Sequence, residues 1–276
     1  MDLGIVTTLA AKEIRDSLRN RWFILYTIAF TGLALALSWL SLAGSGSSGF
    51  AGFGRTTAGL VNLVLLVVPL MALTAGASSV AGERERGTLA YLLSQPVNRG
   101  EVLAGKYVGL AVALLASLAL GFGASALILV AGGGAGDAGA YLLLVLLTFA
   151  LALSMLSVGF VVSVLAVRTS AAAGIALSLW LVFAFGTDLG LMGSAVAFRL
   201  HVADLFHLAL GNPLQVFKMA VLGSVSSSLD VLGPAGMYAL QTYGDSLRLV
   251  WGASLGVWIV LPLAAAVLVF RRRGVS

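Results

Sequence analysis

Cysteine is absent from the 276 residues, which excludes disulfides, thiolate-bound zinc and thiol nucleophiles. Charge is scarce: 10% of residues are Asp, Glu, Lys or Arg and 60% are hydrophobic, where soluble domains carry about 25% charged residues. So few charges do not cover a water-facing surface, and so much apolar material excludes disorder. No Gly-X-Y period runs through the chain, which excludes collagen. Histidine occurs only at His201 and His207. No H-E-x-x-H, no pair of catalytic carboxylates and no Ser/His/Asp set is present, so an intramembrane enzyme is disfavoured. The composition is that of an integral membrane protein.

Six apolar runs are long enough to cross about 30 Å of hydrocarbon, which takes roughly 20 helical residues. They cover residues 22–42, 57–81, 107–131, 141–167, 171–197 and 249–270. Each is too long for a barrel strand, and the alternation of a barrel is missing, so all six are expected to be helices. The first run is also too long for a cleaved signal peptide, and no small-x-small cleavage site follows it. Pro262 is expected to kink the last span.

The net charge of +5 reports topology. With six spans, one side holds Lys12, Arg15, Arg19, Arg21, Arg84, Arg86, Arg99, Lys106, Arg168, Arg271, Arg272 and Arg273. The other holds Arg55, Arg199, Lys218 and Arg248. That is twelve of the 16 basic residues against four, which places both termini in the cytoplasm. Nucleic acid is not needed to explain the excess.

Residues 1–21 have Val6, Ala10, Ile14, Leu18 and Trp22 every four positions, with Lys12, Arg15, Asp16 and Arg19 on other faces. This predicts an amphipathic helix in the plane of the inner leaflet, its basic groups at the lipid headgroups. The loops 43–56 and 132–140 are rich in Gly, Ser or Ala and carry no chemistry.

Segment 82–106 carries most information. Gly82-Glu83-Arg84-Glu85-Arg86-Gly87 is a charged break after the second span. Residues 88–94 then read as a short helix with Leu89, Leu92 and Leu93 on one apolar stripe. Gln95-Pro96 ends it, and Asn98 with Glu101 forms a capping pair for the next helix. Two coverings for the stripe stand open: the membrane surface with neighbouring helices, or a partner protein. In the same segment, Gly100 to Lys106 matches the first seven positions of a P-loop. Its eighth position is Tyr107, where magnesium needs Ser or Thr, and no strand precedes it. The chain is not expected to bind ATP.

Segment 198–248 contains two apolar helical stretches, 202–210 and 214–222, parted by Gly211-Asn212-Pro213. Gly233-Pro234 makes a second break. With few charges, the segment reads as a re-entrant or interfacial hairpin. His201, Asp204 and His207 lie within it, but two residues six apart on a helix are turned by about 120°. Met219 and Met237 would suit a soft metal, but ordinary interfacial side chains are the simpler reading. Asp188 lies about 26 Å along the fifth span, near its outer end, where interfacial placement is favoured over a proton relay. An ion-driven carrier is disfavoured because no other acid comes so close to the membrane interior. Ser117, Gly121 and Ser125 permit close helix packing.

The order of these parts resembles the ABC-2 type transport permeases. The resemblance is carried by Lys12-Glu13-Ile14-Arg15-Asp16-Ser17-Leu18-Arg19-Asn20-Arg21-Trp22, by Gly82-Glu83-Arg84-Glu85-Arg86-Gly87-Thr88-Leu89, by Leu92-Leu93-Ser94-Gln95-Pro96-Val97, and by Gly105-Lys106. Six spans and Asn212-Pro213 before the last of them extend it along the chain. Within the superfamily the chain is similar to the NosY-like branch, permeases of the nitrous-oxide-reductase maturation transporter. The fold implied is all-α: six transmembrane helices behind an N-terminal elbow helix, as in ABC-2 (type V) exporters. The elbow would be residues 1–21, with Lys12, Glu13, Arg15, Arg19, Arg21 and Trp22 at its functional positions. The transmembrane domain would be 22–276. Within it, Gly82, Glu83, Arg84, Glu85, Gly87, Thr88, Leu89, Leu92, Leu93, Ser94, Gln95 and Pro96 would form the segment that docks on a separate ATPase. ATP and magnesium would sit on that ATPase, with no cofactor on this chain. A second permease copy, membrane lipid and a periplasmic maturation protein would be the other partners. The branch implies service to the copper sites of nitrous oxide reductase; the wider superfamily implies efflux of a lipid, drug or other small molecule.

Overall fold

A computed structural model describes residues 2–43, 49–131, 138–186, 189–190, 201–225, 238–239 and 241–272. Asp188, Arg199, Met237, Arg273, the break Gly233-Pro234 and residues 44–48 and 132–137 of the two small-residue loops lie outside the described residues. Helix α1 (Leu3–Arg19) opens the chain and is followed by α2 (Arg21–Ala43), α3 (Gly49–Glu85) and the short α4 (Thr88–Leu93). Then come α5 (Arg99–Ala131), α6 (Ala138–Leu165) and α7 (Thr169–Leu181), which runs into a π turn, Val182–Gly186. A bent pair, α8 (Val202–Leu210) and α9 (Pro213–Val225), precedes the last helix, α10 (Leu247–Arg272). No strand occurs among the described residues.

Six helical segments are long and apolar enough to cross a membrane: Arg21–Leu40, Gly59–Glu85, Arg99–Ala131, Ala138–Leu165, Thr169–Gly186 and Leu247–Arg272. Their number agrees with the sequence reading, but several boundaries differ: α3 begins at Gly49, inside the expected loop 43–56, because helix extends back from the apolar run through its small residues, and α6 begins at Ala138. Helix α3 continues to Glu85 and α5 begins at Arg99, so only 86–98 lies outside the long helices, within the expected segment 82–106. The charges at Glu83, Glu101 and Lys106 are buried inside the protein, so helix continues through them. Helix α10 runs through Pro262.

Helix α6 packs between α3 and α10, α7 packs on α3, and α5 packs on α1 and α2. Small residues set the closest approaches. A Cβ on Gly76 of α3 would stand 2.8 Å from the Leu156 carbonyl oxygen, and one on Gly159 of α6 would stand 2.7 Å from that of Leu73. The backbones therefore touch at this crossing, as small residues allow in membranes. The row Ser117, Gly121, Ser125 is the seam of α5 with α2. Thr27 Oγ1 donates to Ser117 Oγ at 3.1 Å, Phe30 covers Gly121, and Ser38 and Ser125 share a hydrogen bond of 2.5 Å. The Phe30 ring then meets Phe122 edge-on at 5.3 Å.

The pair α8–α9 is bent by 111°, the shape of a re-entrant hairpin. Asn212 makes the bend. Its Oδ1 accepts the Leu214 N–H at 2.8 Å and caps α9, while its Nδ2 donates to the Phe183 carbonyl at 2.6 Å. That carbonyl lies in the π turn after α7, so one buried amide fastens the hairpin to the end of a span. Phe206, Val216, Trp251 and Leu255 form a second apolar cluster beneath it.

Candidate functional site: the linked roots of α4

Helix α1 builds one wall. Asp2 caps it by accepting the Gly4 N–H at 2.8 Å, and Asn20 ends it in an extended conformation. Asn20 Oδ1 then accepts the Trp22 N–H at 3.0 Å and starts α2. The buried face of α1 is Val6, Ala10, Glu13 and Ser17; Leu18 and Trp22 are exposed. This differs from the expected stripe of residues four apart for a geometric reason. Each step of four residues advances about 400°, so the row drifts by about 40° per step and leaves the face it began on. Spacings of four, three and four hold the face, and they bring in a glutamate. Arg15, Arg19 and Arg21 are exposed, and Lys12 is half-exposed.

The first turns of α5 receive α1 at two glycines. A Cβ on Gly105 would lie 2.6 Å from Leu9 Cβ, and one on Gly109 would lie 2.6 Å from both the Ala10 carbonyl oxygen and Glu13 Cβ. The likeness to a P-loop at Gly105-Lys106 has its explanation here: the glycine admits α1, and the lysine pairs with it.

Lys106 has a side chain 3% exposed, and it donates to Glu13 Oε2 at 2.8 Å. Its Nζ also lies 3.2 Å from Glu83 Oε1, which accepts from Lys12 Nζ at 2.8 Å. Two cations and two anions thus balance where α1, α3 and α5 meet. Buried charges persist only when paired in this way. Burial alone would lower the Lys12 pKa; the hydrogen bond and charge of Glu83, with the charges of Glu13 and Asp16, outweigh it and hold the ammonium above its ordinary 10.5. Its contribution is complete below pH 10.5 and is lost only as pH rises through the raised value, so this ion stays charged at physiological pH.

Arg84 and Glu85 of the charged run bind other helices. Arg84 Nη1 donates to the Ala166 carbonyl at 2.5 Å, at the end of α6, where carbonyls lack helical partners. Glu85 Oε2 accepts the Thr169 N–H at 2.9 Å and caps the start of α7. Gly87, at φ 73°, turns the chain from α3 into α4, and Thr88 Oγ1 reaches back to the Glu83 carbonyl at 3.2 Å. On the far side of α4, Glu101 accepts the Asn98 N–H at 3.0 Å, the back-bond of a capping box, and the Asp2 N–H at 2.8 Å. Arg99 donates to the Arg271 carbonyl at 3.2 Å, joining α5 to the end of α10. Every helix root at this end of the bundle is therefore tied to a neighbour.

The structure places three groups of expected docking residues differently. Leu89 is 2% exposed and belongs to the chain's own core. Leu92 and Leu93 are half-buried, Leu93 against that core. Glu83, Arg84 and Glu85 are engaged within the chain. The reason is that α4 is one and a half turns long and lies across α3, so its apolar side is covered from within. What faces outward is Thr88, Tyr91, Ser94, Gln95 and Pro96, with Tyr91 74% exposed. Tyr91 was not singled out by spacing, since it sits off the leucine stripe; its position two residues from Leu89 on a six-residue helix was the available signal.

At the other end, His201 Nδ1 lies 3.9 Å from Asp204 Oδ2, both exposed, and His207 Nδ1 is 2.8 Å from the Ala203 carbonyl oxygen. Met219 is buried in the second apolar cluster. Among the described residues, no three His, Asp or Glu side chains converge as metal ligands.

Comparison with known proteins adds two findings. The family described as ABC-2 family transporter protein matches residues 7–275. The chain is also similar to two proteins named probable ABC transporter permease protein NosY. One, from Pseudomonas aeruginosa, is 33% identical over 278 residues, covering 98% of this chain and 99% of the relative. The other, from Stutzerimonas stutzeri, is 33% identical over 274 residues, covering 97% and 98%.

Proposed function

Because the chain belongs to the ABC-2 family of transporter permeases, we propose that its α4 end lies in the cytoplasm and receives a separate ATPase, whose work the bundle carries across the inner membrane. The observation that carries this reading is the rooting of α4. It is a short helix with an exposed tyrosine, and the helices on both sides of it join α1 through Lys12, Glu13, Glu83 and Lys106. A displacement of α4 by a docked partner would pass into α3 and α5, because a buried pair cannot part without exposing an unpaired charge. Residues 1–21 then act as the elbow helix. The excess of basic residues at this end supports cytoplasmic termini.

Two permease copies would pair over two ATPase subunits, with ATP and magnesium held by the ATPases. For the task served, we favour maturation of the copper sites of nitrous oxide reductase, with a periplasmic partner at the α8–α9 end. The names of the two relatives and the motif resemblance support that choice over general efflux. Hydrolysis measured with the purified chain alone, and then with an ATPase encoded beside it, tests the division of labour. Magnesium-dependent hydrolysis is expected only from the mixture; robust turnover by the isolated chain, free of contaminating ATPase, refutes it. Loss of copper from the reductase on deletion of the gene, with restoration by the intact gene, tests the task; full copper loading in the deletion strain excludes it.

A further inference from the structure

Beside the charge cluster lies a cavity of about 510 Å³ between α1, α2, α3, α5 and the start of α7. Its walls include Glu13, Glu83 and Lys106, which pair through Lys106 while Glu83 Oε2 has no hydrogen-bond partner among the described residues, and three further charges: Asp16, Arg19 and Arg86. The side chains of these three make no hydrogen bond or ion pair among the described residues. Arg86 folds its guanidinium back over Gly82, into the cavity wall.

A second cavity, of about 410 Å³, continues from the first and shares Asn20, Phe23, Ala75, Ser78 and Thr169 with it. Its character is different. Trp22, Tyr26, Leu70, Met71, Ala173 and Leu177 make it an apolar slot, with α3 as the floor and α2 and α7 as the sides. Trp22 and Leu177 at its walls are 69% and 47% exposed. One continuous space thus offers two cations and one anion at the end of the bundle, then an apolar path along the spans.

We propose that this paired cavity binds one phospholipid with a phosphoethanolamine headgroup from the leaflet at the α4 end. Arg19 and Arg86 bind the phosphate, Asp16 accepts hydrogen bonds from the primary ammonium, and an acyl chain fills the slot between α2 and α7. The charge pattern selects the headgroup. Two guanidiniums match a phosphate, and guanidinium is the side chain that best donates to it. Asp16 adds a demand that an anionic lipid without an ammonium does not meet and that a quaternary ammonium, having no N–H, meets poorly. The slot selects a lipid over a water-soluble zwitterion, because apolar walls gain nothing from a headgroup alone. This inference goes beyond the ATPase-docking reading and does not depend on it.

The test is native mass spectrometry of the purified full-length chain, delipidated and titrated with dioleoyl phosphatidylethanolamine, phosphatidylcholine and phosphatidylglycerol in turn. One phosphatidylethanolamine per chain should be retained in preference to the other two. Arg19→Gln with Arg86→Gln should weaken it by roughly tenfold or more, as loss of charge-assisted hydrogen bonds does. Asp16→Asn should narrow the preference over phosphatidylcholine. Ala173→Trp should block the slot; if that variant does not fold, the exposed-charge variants still decide. Equal retention of all three lipids, or wild-type retention by the double arginine variant, overturns the proposal and leaves only annular lipid. Displacement by stoichiometric glycerophosphoethanolamine also overturns it, since the slot would then contribute nothing.

Discussion

Replacing Lys106 with Met removes the one fully buried cation where three helices meet. Its side chain is 3% exposed, and its partners Glu13 and Glu83 have side chains 11% and 5% exposed. Methionine keeps the volume, so packing changes little, but Glu13 loses the partner at 2.8 Å that balances it. Breaking a buried pair in this way costs about 3–5 kcal/mol. Glu83 keeps Lys12, so the lower end, about 3 kcal/mol, is expected. On the scale of soluble proteins this size, that lowers the melting temperature by about 6 °C. Lys12→Met is the internal comparison. Its side chain is 50% exposed, so water screens the loss, and a cost under about 1 kcal/mol is expected. Adding Glu13→Gln to Lys106→Met should recover part of the loss by removing the orphaned charge. The assay is thermal loss of monodispersity in detergent, at one heating rate for all variants because membrane proteins unfold irreversibly. Equal shifts for Lys106→Met and Lys12→Met, or no rescue by Glu13→Gln, would refute the claim that this cluster is a buried, mutually dependent unit.

Three further outcomes follow from contacts elsewhere. Gly109→Leu drives a side chain into the Ala10 carbonyl and Glu13, so α1 must move, and the overpacking should cost about 1–3 kcal/mol, read as a lower melting temperature in detergent than the parent's; an unchanged melting temperature would contradict the close approach. Asn212→Ala leaves the Phe183 carbonyl and the Leu214 N–H without this amide, at a cost of about 1–3 kcal/mol, and limited proteolysis should then cut between α8 and α9 first. A cysteine at Ser94, the natural chain having none, should react with impermeant thiol reagent only after cells are opened; labelling in intact cells would invert the proposed orientation.

Much of the fold was legible because composition and length decide it. A run of twenty apolar residues has few places to go, and six such runs became six helices. Local chemistry was legible as well: Asn98 and Glu101 announce a cap by their spacing, and Glu101 accepts the Asn98 N–H. Asn212-Pro213 announces a break, though the acceptor that its amide finds, Phe183, lies 29 residues away in sequence. Pairings of that kind left no mark in the sequence. Glu13 and Lys106 are 93 residues apart, and Glu83 and Lys12 are 71 apart. Nothing local separates a buried glutamate from a solvated one. The same limit governs α4. Periodicity gathered Leu89, Leu92 and Leu93 onto one side, and the three-dimensional course of α3 turned that side inward, leaving Tyr91 outside. Gly105-Lys106 illustrates the converse, a familiar string whose reason is the approach of α1.

The central claim is that α4 seats the ATPase through its outward face. Co-purification of the chain with its ATPase, comparing wild type with Tyr91→Asp and Leu268→Ala, tests it most directly. Tyr91 is 74% exposed and Leu268 is 55% exposed on a span, so neither change disturbs the fold. A carboxylate buried unpaired at the contact costs several kcal/mol, and about 3 kcal/mol lowers affinity by more than a hundredfold. Tyr91→Asp should therefore lose the ATPase while Leu268→Ala retains it. Retention of the ATPase by Tyr91→Asp, at wild-type stoichiometry and with wild-type coupled hydrolysis, would contradict the account.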